Sequence, residues 1–71
     1  MTPAIQQELL RRLAEVCELS PEVRFGQLLA HLGFLVEDRT DYNLGDVSDY
    51  ELLGVIEAHR VELQDRQQQV A

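Results

Sequence analysis

Apolar residues recur every three or four positions at the start of the chain, a spacing that predicts an amphipathic helix. The strict alternation typical of a strand is missing. The helix is expected from Pro3 to about Glu18, because Thr2 is a good N-cap and Pro3 is preorganised for the first helical turn. These apolar residues cover about half of the helix circumference, more than the roughly 100° that a helix needs to face a core. They are Ile5, Leu9, Leu10, Leu13, Val16 and Cys17.

A second helical pattern follows Ser20-Pro21. Ser20 is expected to cap this helix and Pro21 to be its first residue. Proline also ends the preceding helix, because the residue before it is pushed out of the α region. The turn between the two helices is therefore short, and we expect them to be near-antiparallel or sharply angled neighbours. The apolar stripe of the second helix consists of Phe25, Leu28, Leu29, Leu32, Leu35 and Val36.

The end of the second helix depends on the role of Gly33. Glycine commonly ends a helix at the C′ position. Alternatively, Gly26, Ala30 and Gly33 form a face of small residues that lets another helix approach closely. Both interpretations stay open, and the helix is expected to end between His31 and Asp38.

Residues 37–49 form an acidic connector, and the stretch from Glu37 to Glu51 contains six carboxylates and one arginine. Its turn-forming residues predict a loop, and Tyr42, Leu44 and Val47 are expected to pin this loop to the core. Ser48 and Glu51 then form a capping box, in which each side chain can bind the backbone amide of the other residue.

A third helix follows the capping box. Its apolar side consists of Leu52, Leu53, Ile56 and Leu63, and Gly54 inside it costs about 1 kcal/mol relative to alanine. We expect this glycine to admit a close neighbour. The sequence therefore predicts an all-α fold: a compact three-helix domain over residues 1–66, with a packed acidic connector between helices 2 and 3. Residues 67–71 are expected to be a frayed polar tail.

Composition narrows the classes of site that the chain can hold. A length of 71 residues indicates one domain, and Cys17 is the only cysteine. An intrachain disulfide and a cysteine-rich zinc site are excluded, and a single cysteine fits a reducing compartment. The first ten residues include Gln6, Gln7 and Glu8, which argues against a signal peptide. No apolar run is long enough to span a bilayer. We expect a soluble, cytoplasmic protein.

The net charge of −7 argues against two kinds of partner. Direct nucleic-acid binding requires lysine and arginine to neutralise phosphates, and an acidic surface is repelled by anionic membranes for the same reason. High acidity instead suggests that any partner is basic.

Candidate chemistry is weak. In an EF-hand frame that starts at Asp41, Gly45 stands at a ligand position and Leu52 replaces the final glutamate. His31 and His59 lie beside apolar stripes, with His59 near the end of helix 3, and Cys17 lies in the helix 1 stripe, where cysteine is usually inert. We therefore predict no enzyme, no catalytic, metal or cofactor-binding residues and no cofactor. No small-molecule substrate can be identified.

Four residues of the second helix are candidates for an interaction surface. Arg24 and Gln27 lie one turn apart and could contact a partner; alternatively, Arg24 pairs with an acid of the connector or of helix 3, and Gln27 binds loop backbone. Val23 and Phe34 lie nearly opposite the main stripe and could form a second contact surface. The alternative for this pair is that their side of the helix packs against helix 1.

The run Ser20 to Leu29, followed by the acidic connector and by Asp49 to Leu53, resembles a group of small uncharacterised bacterial proteins. Their pattern is an amphipathic helix, Pro-Asp/Glu-x-Arg-Phe/Leu-Gly-Gln-Leu, an aromatic-rich connector and Glu-Asp-x-Glu-Leu-Leu. The resemblance covers about residues 5–60 and is strongest from Arg24 to Leu28. The connector differs, with Leu44 and Val47 where the group often has aromatic residues. The resemblance implies a bacterial origin and no particular activity.

These observations favour a small protein–protein interaction or assembly module without catalytic activity. Self-association through helix 1 or helix 2 is expected, because so short a chain can bury few of its large apolar residues alone. The competing interpretation is a compact monomer whose tightly crossed helices use the glycines internally, which the net charge favours by opposing association. The alternative is an acidic regulator linked to nucleic-acid processes, either antitoxin-like or a nucleic-acid mimic.

Overall fold

Three α-helices make up the fold in the computed structural model, which describes residues 1–69. They are α1 (Ala4–Leu19), α2 (Phe25–Arg39) and α3 (Asp49–Gln69). Residues 1–69 contain no strand. The predicted all-α, three-helix fold is confirmed.

The two helices that were predicted to begin at a proline both begin later in the structure. In α1, Pro3 is itself the N-cap and Thr2 makes no side-chain cap. The larger difference concerns Ser20 and Pro21. The Ser20 hydroxyl donates a 2.7 Å hydrogen bond to the Val16 carbonyl, so it closes α1 instead of opening α2.

The segment after Ser20 is a turn. The Val23 amide donates to the Ser20 carbonyl at 3.1 Å, which places serine first and proline second in the turn, as both residue types favour. Helix α2 begins only at Phe25, with Arg24 in an extended conformation (φ −66°, ψ 144°) as its N-cap. A Ser-Pro pair suits a β-turn as well as a helix start. Here it forms a turn, because the Ser20 hydroxyl is already bound to the Val16 carbonyl of α1.

Helix α2 runs through Gly33 and ends at Arg39, one residue beyond the expected range. Thr40 closes it, because both its amide and its hydroxyl bind the Val36 carbonyl. The expectation that these glycines admit a close neighbour is wrong within residues 1–69. A methyl group placed on Gly26, Gly33 or Gly54 would meet no atom within 4 Å outside its own stretch of helix.

The Ser48 cap of α3 is confirmed in one direction: the Ser48 hydroxyl accepts the Glu51 amide at 3.2 Å. No return bond from the Ser48 amide to the Glu51 carboxylate occurs among residues 1–69. Helix α3 continues to Gln69, so residues 67–69 of the predicted frayed tail are helical. The Gln67 side chain donates to the Leu19 carbonyl at 2.8 Å. Residues 70 and 71 lie outside the described residues.

Helices α1 and α3 run in the same direction. Arg12 lies 3.5 Å from the Glu57 carboxylate, Arg60 lies 3.3 Å from that of Glu15, and Gln67 reaches Leu19, so the partners advance together along both helices. The core lies between α3 and the other two helices. Its buried residues form two adjacent clusters, one with Val16, Leu28, Leu32 and Ile56, the other with Val36, Val47 and Val55.

The connector packs against the core as predicted, but only one of the three residues expected to do so is buried. Val47 is buried against Val36 and Val55. Tyr42 and Leu44 remain exposed. The outer part of the connector therefore lies at the surface, beside the helices that it joins.

Candidate functional sites

An apolar groove opens between all three helices and the connector. We call it the leucine groove. It has a volume of about 220 Å³. The α1 side contributes Leu9, Leu10 and Leu13, and α2 contributes Leu29 and Leu32. The remaining walls are Leu44 of the connector and Leu52 and Ile56 of α3. Every lining residue is aliphatic, so the groove can bury apolar groups but offers no side-chain hydrogen bond.

Several groove residues are exposed to an unusual degree for leucine. The exposed fraction is 62% for Leu10, 38% for Leu29 and 39% for Leu44. Phe25, one helical turn before Leu29, is also exposed. Single exposed apolar residues are common, but a contiguous patch marks a contact surface.

The exposure of Leu10 follows from the width of the α1 stripe. Val16 in the same helix is fully buried against α2 and α3. A helix that packs against its neighbours along one side cannot bury apolar residues over half of its circumference. The sequence contained this signal for α1, but the groove also needs Leu44, whose position depends on how the connector folds.

Acidic residues lie close to groove residues along the chain. Asp46 of the connector follows Leu44 closely, and Asp49 and Glu51 in the first turn of α3 precede Leu52. None of the six carboxylates from Glu37 to Glu51 forms an ion pair with another described residue; Arg39 of the same segment pairs with Glu62 at 3.0 Å. These charges remain available to a partner.

Two arginines, one in α1 and one in α3, form ion pairs between these helices. Arg12 contacts Glu8, Glu15 and Glu57, and Arg60 contacts Glu15 and Glu57. The hydrogen bond from Arg60 lowers the pKa of Glu57, and the charge of Glu57 raises the pKa of Arg12. Each exposed pair contributes little stability, but together they hold α1 beside α3.

The four residues predicted from the sequence do not line the leucine groove. Arg24 is exposed and forms no ion pair within residues 1–69, so the alternative of a structural pair with an acid is wrong. Gln27 is exposed and binds no backbone among these residues. Phe34 is 69% exposed, so its side of α2 does not pack against α1. Val23 lies in the turn before α2. Their role as interaction residues stays a prediction.

A second cavity, of about 190 Å³, lies between the α1–α2 turn, α2 and α3. We call it the histidine cavity, because His31 and His59 both line it, with ring centroids 4.9 Å apart. The other lining residues are Ser20, Val23, Leu28, Leu63 and Arg66.

His59 is the buried polar group of this cavity. It is 7% exposed, and its Nδ1 atom is buried without a hydrogen-bond partner. Burial lowers the pKa of His59; the charges of His31, Arg66 and Arg39 lower it further, and Glu62 opposes them. The sequence had placed His59 near the end of helix 3, but α3 extends to Gln69, so His59 lies in its interior.

No group of three or more His, Cys, Asp or Glu side chains within residues 1–69 is placed to hold a metal ion. In the same part of the chain, none of the helices combines the length and apolar character needed to cross a membrane.

Comparisons of the chain with protein-family models, curated proteins and solved structures find no match. The resemblance stated above stays a prediction.

Proposed function

We propose that this protein is a small protein–protein interaction module that binds an amphipathic, basic helix of another protein in the leucine groove. The observation that carries the proposal is the groove itself, which has aliphatic walls from three helices and the connector and is open to the surface. Its walls hold no group that could act as a nucleophile or as a general acid or base, which supports a noncatalytic role.

A helix is the partner element that suits such a groove. An amphipathic helix presents apolar anchors three and four residues apart, and it satisfies its own backbone hydrogen bonds. The groove offers no hydrogen-bonding side chain, so a partner segment with unpaired backbone groups would leave them unsatisfied.

The charge of the connector favours a basic partner over a second copy of this chain. The six carboxylates from Glu37 to Glu51 form no ion pair within residues 1–69, and the whole chain carries −7. A second copy would bring an equally acidic connector to the same interface, and the two connectors would repel each other. A partner helix with lysine or arginine beside its apolar anchors would instead be attracted to these carboxylates. Self-association is thus the competing use of the groove.

The free cysteine, Cys17, supports a location in the reducing cytoplasm.

The test uses a synthetic helical peptide of leucine and lysine with all leucines on one face. A control peptide has the same composition with its leucines spread around the helix. By fluorescence anisotropy, we expect the patterned peptide to bind saturably and the control peptide to bind weakly. Equal binding of both peptides would mean attraction by charge alone and would overturn the proposal.

Two matched variants locate the binding site. Leu29→Gln removes an exposed groove residue of α2, and we expect it to weaken binding about tenfold, as for a central interface residue. Phe34→Gln removes an equally apolar residue of α2 outside the groove and should leave binding unchanged. Loss of binding in Phe34→Gln but not in Leu29→Gln would transfer the site to the surface predicted from the sequence.

A further inference from the structure

The histidine cavity combines features that together point to a bound ligand. It is walled by the α1–α2 turn, α2 and α3, and it shares no lining residue with the leucine groove. Its volume of about 190 Å³ leaves room for about six water molecules at liquid density. A molecule of comparable size would fill it.

The first feature is an unsatisfied polar atom. His59 is more than nine-tenths buried, yet its Nδ1 atom has no hydrogen-bond partner within the protein. Buried polar atoms are nearly always paired, and leaving one unpaired is costly. Ser20, the other small polar residue of the wall, has already bound its hydroxyl to the Val16 carbonyl. No residue from 1 to 69 supplies this partner.

The second feature is charge. Arg66 lines the cavity and forms no ion pair within residues 1–69, in a chain with more than twice as many acids as arginines. The charged and titratable groups that act on His59 are His31 and Arg39 of α2 and Glu62 and Arg66 of α3. Arg39 already pairs with Glu62, the only acid among them. The cavity thus offers one free guanidinium and two imidazoles to an anion.

The third feature is the apolar remainder of the wall. Val23, Leu28 and Leu63 surround the same space as the basic groups. A fully hydrated inorganic anion gains nothing from this aliphatic surface, whereas a short hydrocarbon group would bury it. The cavity therefore selects a molecule with an anionic end and a small apolar body.

We infer that the histidine cavity binds a small aliphatic carboxylate, with its anionic end at Arg66, His31 and His59 and its hydrocarbon end against Val23, Leu28 and Leu63. Hydrogen bonds from charged donors to a carboxylate are roughly twice as strong as neutral ones. The bound anion stabilises the imidazolium form, so affinity rises as the pH is lowered through the range in which histidine titrates. This inference is independent of the function proposed for the leucine groove.

The experiment titrates the whole chain with isovalerate and, as the uncharged control of the same shape, isovaleramide. Histidine ring signals are followed by NMR at about pH 6 and about pH 8, values on either side of the ordinary histidine pKa. We expect saturable shifts of the His31 and His59 signals with isovalerate, tighter binding at the lower pH, and an upward shift of the His59 pKa on binding. The amide should bind at least about tenfold more weakly, because it cannot form the charge-assisted bonds.

Matched variants test the assignment of residues. Arg66→Gln should weaken isovalerate binding about tenfold, while Arg11→Gln, which makes the same change in net charge on the exposed side of α1, should not. His31→Gln provides a second cavity variant at an exposed position, where folding is least at risk.

Three results would overturn the inference: no saturable shift with isovalerate, equal affinity for the amide, or equal affinity in Arg66→Gln and Arg11→Gln. Failure of the helical peptide to bind would leave this inference intact. Conversely, Leu29→Gln should bind isovalerate normally, which keeps the two proposals separable.

Discussion

At the scale of single residues, His59 links burial to pH. Its pKa is lowered, chiefly by burial and then by His31, so the unfolded chain takes up a proton more readily than the folded one. This difference in proton uptake destabilises the folded chain. The loss of stability is absent above the unfolded pKa of about 6.5 and grows as the pH falls below it. It stops growing once the pH passes below the folded pKa. The free energy of unfolding should therefore decrease on mild acidification.

We expect urea unfolding to show this decrease between about pH 7 and about pH 5, above the range in which most carboxylates titrate. His59→Gln should flatten the dependence in that window, because glutamine does not titrate. His31→Gln keeps the buried imidazole and should retain most of the slope. An identical pH dependence in the wild-type chain and in His59→Gln would show that other groups control stability there.

The Ser48 cap is a second prediction at the residue scale. The Ser48 hydroxyl accepts the Glu51 amide, so Ser48→Ala leaves a helix-end donor without its partner. The free energy of unfolding should fall by about 0.5–2 kcal/mol. Thr2→Ala is the matched control, because Thr2 was also expected to be an N-cap but makes no cap in α1. Comparable losses in both variants, measured by chemical denaturation, would contradict this distinction.

At the scale of elements, the glycines of α2 and α3 lower the stability of their helices and have no packing role within residues 1–69. Gly54 lies in the interior of α3, and an added methyl group there would meet no atom within 4 Å outside that stretch of helix. Gly54→Ala should therefore raise the free energy of unfolding by about 0.5–1 kcal/mol, through the better helix propensity of alanine.

The control for this prediction is Gly45→Ala in the connector, which gains no helix propensity and brings a methyl group to 3.5 Å from the Asn43 side-chain oxygen. A loss of stability in Gly54→Ala would mean that the position needs a small residue after all, as the sequence had suggested.

The α1–α2 junction shows how a correct signal can point to the wrong element. Ser20-Pro21 has the residue types of a helix start, and the same types suit a β-turn. Which of them forms depends on the carbonyl that the Ser20 hydroxyl reaches, and in the folded chain this is Val16 of the preceding helix. The sequence around Ser20 alone therefore cannot decide between a helix start and a β-turn.

At the scale of the whole molecule, the acidic connector opposes contact between copies of the chain. The apolar surplus of α1 favours self-association, but the net charge is −7. We expect this charge to prevail at low ionic strength, where repulsion is least screened, so that the free chain sediments as one species of 8.1 kDa. The measurement is sedimentation velocity at tens of micromolar. A concentration-dependent shift toward twice this mass, abolished by Leu29→Gln, would instead support self-association through the leucine groove.

The sequence by itself determined the helical class, the number of helices, the Ser48 cap and the surplus of apolar surface on α1. Each of these follows from local periodicity or local hydrogen bonding, which act within a few residues along the chain. It did not determine the groove or the cavity. Leu10, Leu29 and Leu44 meet only because α1 and α3 run in the same direction with α2 and the connector beside them.

The histidine cavity depends on tertiary structure for the same reason. His31 and His59 are separated by the whole connector, and His59 is buried only because α3 continues beyond it and α2 packs across it. Side-chain burial and the proximity of distant charges arise from packing, which single-sequence periodicity does not encode. Local interactions therefore fixed the helices of this protein, and the packing of those helices decided where the leucine groove and the histidine cavity lie.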